Sequence, residues 1–198
     1  MQGFPSARPG QVVGLLGGSF DPAHAGHVHI TKAAMTRFGL DHVWWLVSPG
    51  NPLKHSGPKP IQQRLDRARA VVDDPRVTVS DIEAHLQTTY TADTIAALIN
   101  RYPTTRFVWL MGADNLAQFH RWQNWQWIAE TVPMGILARP GDRISGRVSK
   151  TAKVYREAMI APRASRLLGR ATAPAWCFVN LPMSDASSTK IRSKGDWR

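Results

Sequence analysis

The chain has 198 residues, 43% of them hydrophobic, and its 25 Lys+Arg against 14 Asp+Glu give a formal net charge of +11. A chain of this length buries roughly 70% of its unfolded surface, which excludes the class of small domains that need disulfides or metals to fold. We expect a single domain over residues 1–198, with the Gly-, Pro- and Ser-containing residues 1–10 as a loose lead-in.

Cysteine usage and hydropathy narrow the class of protein further. The single cysteine, Cys177, lies in the apolar run 175–179 and is expected to be a small buried side chain rather than a nucleophile. No stretch approaches the ~20 apolar residues of a membrane span. The first six residues also lack the basic and apolar regions of a secretory signal. We therefore expect a cytoplasmic protein with no membrane partner.

The positive charge is concentrated in the last third of the chain. Residues 139–198 carry a net charge of +9, whereas residues 1–138 carry +2. Such a field attracts anions, whether nucleic acid, a phosphate-bearing small molecule or an acidic membrane surface, and a basic face can also serve solubility alone. Charge by itself does not choose among these.

Short apolar runs alternate with segments of helical periodicity along the chain. The pattern predicts strands at 11–16, 43–47, 77–79, 106–111, 134–138 and 176–180, and helices from 26 to 38, after 60, from 91, from 150 to 160 and near 187. Thr91 is a candidate helix cap. Arg64, Arg67 and Arg69 are expected on the solvated side of the helix after Pro60.

This alternation indicates the α/β class, with a doubly wound, mostly parallel sheet and helices on both faces. Right-handed crossovers bring the strand-to-helix loops to one edge of the sheet, where ligands bind beyond the carboxyl ends of the strands. The polar motifs of interest follow strands, as that arrangement requires.

The most informative motif is GGSFDPAHAGH at 17–27, between the first strand and the first helix. Gly17 and Gly18 allow backbone N–H groups to approach an anion, and the helix N-terminus adds a favourable dipole. His24 and His27 are three residues apart, so both can face one phosphate and stabilise charge on its oxygens. No third ligand accompanies them, so we predict no protein-held metal site.

Three further segments carry polar groups at the ends of predicted elements. SSTKIR at 187–192 is a hydroxyl-rich helix start followed by Arg192, which suits a polyphosphate. MGADN at 111–115 follows a strand and offers Asp114 to ribose hydroxyls, and Trp122 nearby can stack on a heteroaromatic ring. The third segment is TYTADT at 89–94.

Together the four motifs resemble, in order, those of the HxGH nucleotidyltransferase superfamily, and they are most similar to the bacterial nicotinate mononucleotide adenylyltransferases. The resemblance spans residues 13–192 and implies a Rossmann-like nucleotidyltransferase fold. It implies adenylyl transfer from ATP to nicotinate mononucleotide, giving nicotinate adenine dinucleotide and pyrophosphate in NAD biosynthesis. The phosphate would attack directly and in line, without a covalent intermediate, and Mg²⁺ would be carried by the ATP phosphates.

The resemblance also implies roles for individual residues. The implied catalytic residues are His24, His27 and Arg192. ATP binding is implied for Gly17, Gly18, Ser19, Phe20, His24, His27, Gly112, Asp114, Ser187, Ser188 and Arg192. Acceptor binding is implied for Lys54, Thr91, Trp122 and Gln123, although Lys54 fits an ordinary exposed lysine equally well.

Two alternatives stay open at this point. One is another HxGH adenylyltransferase, with nicotinamide mononucleotide or phosphopantetheine as the acceptor. The other is a basic nucleic-acid-binding protein, although residues 139–198 carry no nucleic-acid-binding motif and we expect no nucleic-acid partner. The sequence leaves the oligomeric state open, a homo-oligomer included.

Overall fold

The computed structural model describes residues 4–50, 57–138, 146–181, 188–193 and 197. Its strands form one seven-stranded sheet in which each pairing is parallel, in the order β3-β2-β1-β4-β5-β7-β6. The strand bounds are β1 Val12–Gly18, β2 His42–Val47, β3 Val77–Ser80, β4 Arg106–Gly112, β5 Met134–Ala138, β6 Met159–Ile160 and β7 Trp176–Asn180. The expected α/β class and parallel sheet are confirmed.

Helices cover both faces of this sheet. They are α1 Ala25–Phe38, α2 Ile61–Val71, α3 Ile82–Leu86, α4 Thr91–Arg101, α5 Ala113–Gln118, α6 Trp125–Thr131, α7 Lys150–Val154 and α8 Ser188–Ser193, with short 3₁₀ helices at Phe119–Arg121, Arg156–Ala158 and Pro162–Arg170. Helix α1 ends at Gly39, which takes a left-handed conformation (φ 64°) as the sequence predicts. None of the described helices is long and apolar enough to cross a membrane.

The two faces of the sheet carry separate hydrophobic cores. Trp44 joins the core beneath α4 and α6, whereas Trp45 joins the core beneath α1 and α2. Successive side chains of a strand point to opposite faces, so two adjacent buried tryptophans require a sheet covered on both sides. Cys177 is buried in the second core, and burial raises the pKa of its thiol to about 11, as expected for a packing residue.

The segment predicted as a helix over 150–160 is not one helix. The α-helical part of this segment ends at Val154. Met159 and Ile160 instead pair with β7 and form the edge strand β6. The indole N–H of Trp176 donates to the carbonyl of Tyr155 at 2.7 Å, which takes up that carbonyl where a continuing helix would use it. Strand pairing and this contact therefore override the local helical pattern.

Residues 4–10 are more firmly held than their composition predicts. The hydroxyl of Tyr102 donates to the carbonyl of Pro5 at 2.6 Å, and the amide of Gly10 donates to the carbonyl of Thr104 at 2.7 Å. The Arg101 guanidinium lies 3.9 Å from the centre of the Phe4 ring. This segment is thus anchored to the end of α4.

Close packing between α1 and the sheet generates a prediction at Gly135. A Cβ there would lie 2.6 Å from the Phe38 ring and 2.9 Å from Leu110. Both neighbours are fully buried, so Gly135→Ala is expected to lower the free energy of unfolding by about 1–3 kcal/mol. Urea unfolding followed by far-ultraviolet circular dichroism measures this.

The matched control is Gly57→Ala, because no atom lies within 4 Å of a Cβ at that position. Its free energy of unfolding should stay within about 0.5 kcal/mol of the parent protein. Equal stability of the two variants would contradict the packing argument.

Candidate active site

A cavity of about 760 Å³ opens at the carboxyl edge of the sheet, between the loops that follow β1 and β4. In the sheet order, β2 lies on one side of β1 and β4 on the other, so the chain leaves these central strands in opposite directions. Such a switch point leaves a crevice in which α/β proteins bind ligands. The volume lies in the usual range for a small-molecule site, about 300–1,000 Å³.

Most of the sequence-predicted site residues lie in the wall of this cavity. They are Gly17, Gly18, Ser19, Phe20, His27, Thr91, Gly112, Asp114, Trp122, Gln123 and Ser188. His24 and Arg192 lie next to the wall. His24 contacts His27 of the wall, and Arg192 contacts Asp21 in the loop after β1. Lys54 and Ser187 are outside the described residues.

The loop after β1 has its course set by aromatic side chains. A Cβ at Gly17 would lie 2.8 Å from the Trp109 ring, so only glycine allows that ring to pass. Phe20 adopts a left-handed conformation (φ 45°), which is uncommon for a bulky residue, and its ring stacks on Trp45 with centroids 4.9 Å apart. The stacked ring is buried and anchors the loop to the core.

His24 and His27 together form a capping box at the N-terminus of α1. His24 is the N-cap residue, and its Nδ1 accepts from the amide of Gly26 at 3.0 Å, while the Nδ1 of His27 accepts from the amide of His24 at 3.2 Å. A backbone N–H can only donate, so each neutral ring carries its proton on Nε2. The ring centroids are 4.1 Å apart, and His27 is the one that lines the cavity.

The end of β4 brings a carboxylate to the opposite wall. Asp114 lies in the first turn of α5, and a Cβ at Gly112 would collide with its Oδ1, so the carboxylate lies directly over the Gly112 backbone. Asp114 is exposed to solvent and lines the cavity. Its oxygens are therefore available as acceptors for hydroxyl groups.

The third wall is aromatic. Trp122 is half-buried, with Phe119 5.2 Å away and Trp109 in an edge-on contact at 6.2 Å between ring centroids. Trp125 instead packs on the core beside Phe119. Thr91 was predicted as a helix cap, which is wrong: Tyr90 is extended and holds the cap position, so Thr91 is the first residue of α4.

The C-terminal residues hold the loop after β1 from outside. The Ser188 hydroxyl donates to the carbonyl of Pro22 at 2.9 Å, and the Arg192 guanidinium donates to the carbonyl of Asp21. The indole N–H of Trp197 donates to the carboxylate of Asp21 at 2.6 Å. Helix α8 and Trp197 thus support the same loop that carries the histidines.

Sequence reasoning missed two charged residues near this cavity. Glu83 lines the wall, and burial raises the pKa of its carboxyl to about 7. Arg64 was predicted on the solvated side of α2 and is instead buried, a wrong prediction. Its position is three residues after Ile61 and four before Ala68, on the apolar stripe of that helix, and this spacing was the available signal.

The chain is similar to known nucleotidyltransferases over nearly its whole length. The model of the cytidylyltransferase-like family matches residues 15–194. A protein of Ruegeria pomeroyi named probable nicotinate-nucleotide adenylyltransferase is 66% identical over 99% of this chain and 92% of its own length. A protein of the same name from Roseobacter denitrificans is 63% identical over 99% of this chain and 98% of its own length.

Solved structures share the fold at low sequence identity. The nicotinic acid mononucleotide adenylyltransferase of Plasmodium falciparum, complexed with NaAD, superposes with a TM-score of 0.70 at 16% identity, covering 92% of this chain and 83% of that one. This likeness shows the fold, and the family model and the two relatives confirm the family predicted from the four motifs. The chain belongs to the cytidylyltransferase-like family and groups with relatives named nicotinate-nucleotide adenylyltransferase.

Proposed function

We propose that this protein transfers the adenylyl group of ATP to nicotinate mononucleotide, giving nicotinate adenine dinucleotide and pyrophosphate in NAD biosynthesis. The observation that carries the proposal is that His27 and Trp122 lie in the wall of one cavity, at the switch point of the sheet. One group suits a phosphate and the other an aromatic ring. The names of the near full-length relatives support the same reaction.

The reaction is one displacement at phosphorus. A phosphate oxygen of the mononucleotide attacks the α-phosphorus of ATP, the bond to the β-phosphate oxygen breaks, and pyrophosphate leaves with that electron pair. No protein nucleophile is required, so catalysis comes from positioning and from stabilising charge on the phosphate oxygens. The Nε2–H groups of His27 and His24 supply such donors, with His27 the nearer to the cavity.

The remaining wall residues divide between the two substrates. The phosphates are bound by backbone N–H groups of the loop after β1, from Gly17, Gly18, Ser19 and Phe20. Ser188 and Arg192 bind the same phosphates. Gly112 and Asp114 hold the adenosine, and Thr91, Trp122 and Gln123 hold the pyridine ring and its carboxylate. Ser187 as an ATP ligand and Lys54 as an acceptor ligand stay predictions from the sequence.

Magnesium fits this site as an ion that arrives with ATP. The described wall residues with carboxylates are Glu83 and Asp114, and the raised pKa of Glu83 leaves it largely protonated below pH 7. No cluster of three or more His, Cys, Asp or Glu that could hold an ion is found among the described residues. Mg²⁺ would be held mainly by phosphates and water, and would neutralise phosphate charge.

The test of the reaction is pyrophosphate release with ATP, Mg²⁺ and each of three acceptors. We expect release to be much faster with nicotinate mononucleotide than with nicotinamide mononucleotide or phosphopantetheine. Comparable rates with the two mononucleotides would refute the nicotinate preference, and release with phosphopantetheine alone would replace the acceptor. No release with any acceptor would overturn the proposed reaction.

Two variants connect this activity to the site. His27→Ala removes the cavity-facing donor and is expected to lower kcat by about 10²–10³. His29→Ala is the matched control, because His29 lies on the same helix outside the cavity wall. An unchanged kcat in His27→Ala would exclude the proposed role of the histidine.

The aromatic wall generates a prediction on acceptor affinity. Trp122→Ala is expected to raise the KM for nicotinate mononucleotide about 5- to 150-fold, from the loss of about 1–3 kcal/mol of stacking, with the KM for ATP nearly unchanged. Trp127→Ala is the control, since Trp127 is an exposed tryptophan of the neighbouring helix. Equal changes in both KM values would contradict a ring-specific contact.

The raised pKa of Glu83 predicts a pH dependence. The carboxyl is neutral below about pH 7 and ionises above it, where its charge repels an anionic acceptor. The KM for nicotinate mononucleotide should therefore rise several-fold between about pH 6 and pH 8.5 in the parent protein, relative to Glu83→Gln, in which the side chain stays neutral.

The ratio of the two profiles isolates Glu83. The other ionisable side chains of the described wall, His27, Tyr90, Asp114 and Arg121, and the substrate phosphates are common to both proteins. Parallel profiles in the parent protein and in Glu83→Gln would show that this carboxyl does not face the acceptor.

A further inference from the structure

Arg64 on α2 is an arginine buried beneath the loops that border the cavity, with 1% of its surface exposed. Its guanidinium donates hydrogen bonds to four backbone carbonyls of the described residues. Nε donates to Lys59 at 2.7 Å, Nη1 to Ser19 at 2.7 Å and Ser48 at 2.8 Å, and Nη2 to Pro49 at a longer 3.4 Å. One guanidinium thus ties the loop after β1 to both described ends of the loop between β2 and α2.

We infer that Arg64 is a positioning residue, whose guanidinium orients the backbone of these two loops so that their N–H groups face the phosphates of the bound nucleotides. The inference rests on the proposed function. Ser19, Phe20, Ser48 and Gly50 all line the cavity, so the peptides that Arg64 holds are those next to the ligand space.

The orientation follows from peptide geometry. In a trans peptide the C=O and the following N–H point in opposite directions. With the Ser19 carbonyl turned toward Arg64, the N–H of Phe20 points away from it, and the Pro49 carbonyl acts in the same way on the N–H of Gly50. Phe20 also has φ 45°, a conformation that needs support from its surroundings.

Stability alone does not account for this residue. Burying a cation is costly, and a well-packed apolar side chain of similar volume is often as stabilising. Burial lowers the pKa of the Arg64 guanidinium and the carboxylate of Asp21 acts in the opposite direction, yet an arginine stays protonated. Its charge therefore lies under the loop where phosphate anions are proposed to bind, and its planar fork matches several carbonyls at once.

The experiment compares Arg64→Ala and Arg64→Lys with the control Arg67→Ala, an exposed arginine on the same helix. Steady-state kcat and KM for both substrates are measured on protein shown to be folded by circular dichroism. We expect kcat to fall about 100-fold or more in Arg64→Ala and less in Arg64→Lys, which keeps the charge and loses the fork. Arg67→Ala should retain the parent kcat.

Chemical rescue separates positioning from folding. Millimolar guanidinium chloride added to Arg64→Ala can refill the vacated space and should restore kcat at least about tenfold, with no such gain in Arg67→Ala. Guanidinium that fills the vacated space also stabilises the folded variant by binding to it, so the folded fraction is followed by circular dichroism at each guanidinium concentration, and only a gain in kcat at a constant folded fraction supports positioning. The inference would be overturned if Arg64→Lys kept the parent kcat. It would also be overturned if Arg64→Ala lost activity only in proportion to its unfolded fraction and guanidinium did not restore it.

A different readout keeps this inference distinct from the proposed reaction. If the parent protein releases no pyrophosphate with any acceptor, the reaction is wrong, and pyrophosphate binding then tests Arg64 by itself through tryptophan fluorescence. The parent protein should bind, Arg64→Ala should bind at least about tenfold more weakly, and guanidinium should reverse that loss. Equal binding by both proteins would overturn the positioning role.

Discussion

The site depends on the reversal of strand order on either side of β1. Parallel strands need crossover connections, and right-handed crossovers bring each strand-to-helix loop to the same edge of the sheet. Because β2 and β4 flank β1, the loops after β1 and β4 diverge and leave a cavity between them. Residues nearly 100 positions apart in the chain, such as Gly18 and Asp114, thereby border one space.

The loop after β1 combines structural and chemical roles in the same atoms. The ring nitrogens of His24 and His27 that cap α1 are held as acceptors, which leaves the other nitrogen of each ring as the donor. The cap thus selects the tautomer that a phosphate can use. The aromatic contact between Phe20 and Trp45 anchors the loop to the core, so the histidines occupy a defined position relative to the sheet.

Two side chains outside this loop hold it from further directions. The buried guanidinium of Arg64 binds the Ser19 carbonyl from below, and Trp197 binds the carboxylate of Asp21 from the C-terminal segment. The Nζ of Lys59 lies 5.0 Å from the centre of the Trp197 ring, so the residues just before α2 also contact Trp197. Neither Arg64 nor Trp197 belongs to the four sequence motifs, although both contact the first of them.

The sequence by itself determined the alternation of strands and helices, the parallel sheet and the segments around His24, Asp114, Trp122 and Ser188. These follow from local periodicity and from motifs whose residues are close in the chain. Cys177 was likewise recognisable as a core residue from its apolar neighbours.

Only the tertiary structure decided which distant groups meet. β6 forms because β7 offers it an edge, and Trp176 takes the carbonyl of Tyr155 that a longer helix would use. Glu83 has a raised pKa because other elements bury it, and Arg64 is buried because two loops, the one after β1 and the one between β2 and α2, present carbonyls to it. Local spacing placed Arg64 on the apolar stripe of α2, but the carbonyls that satisfy it come from non-local contacts, so its charge alone led to the prediction that it faces solvent.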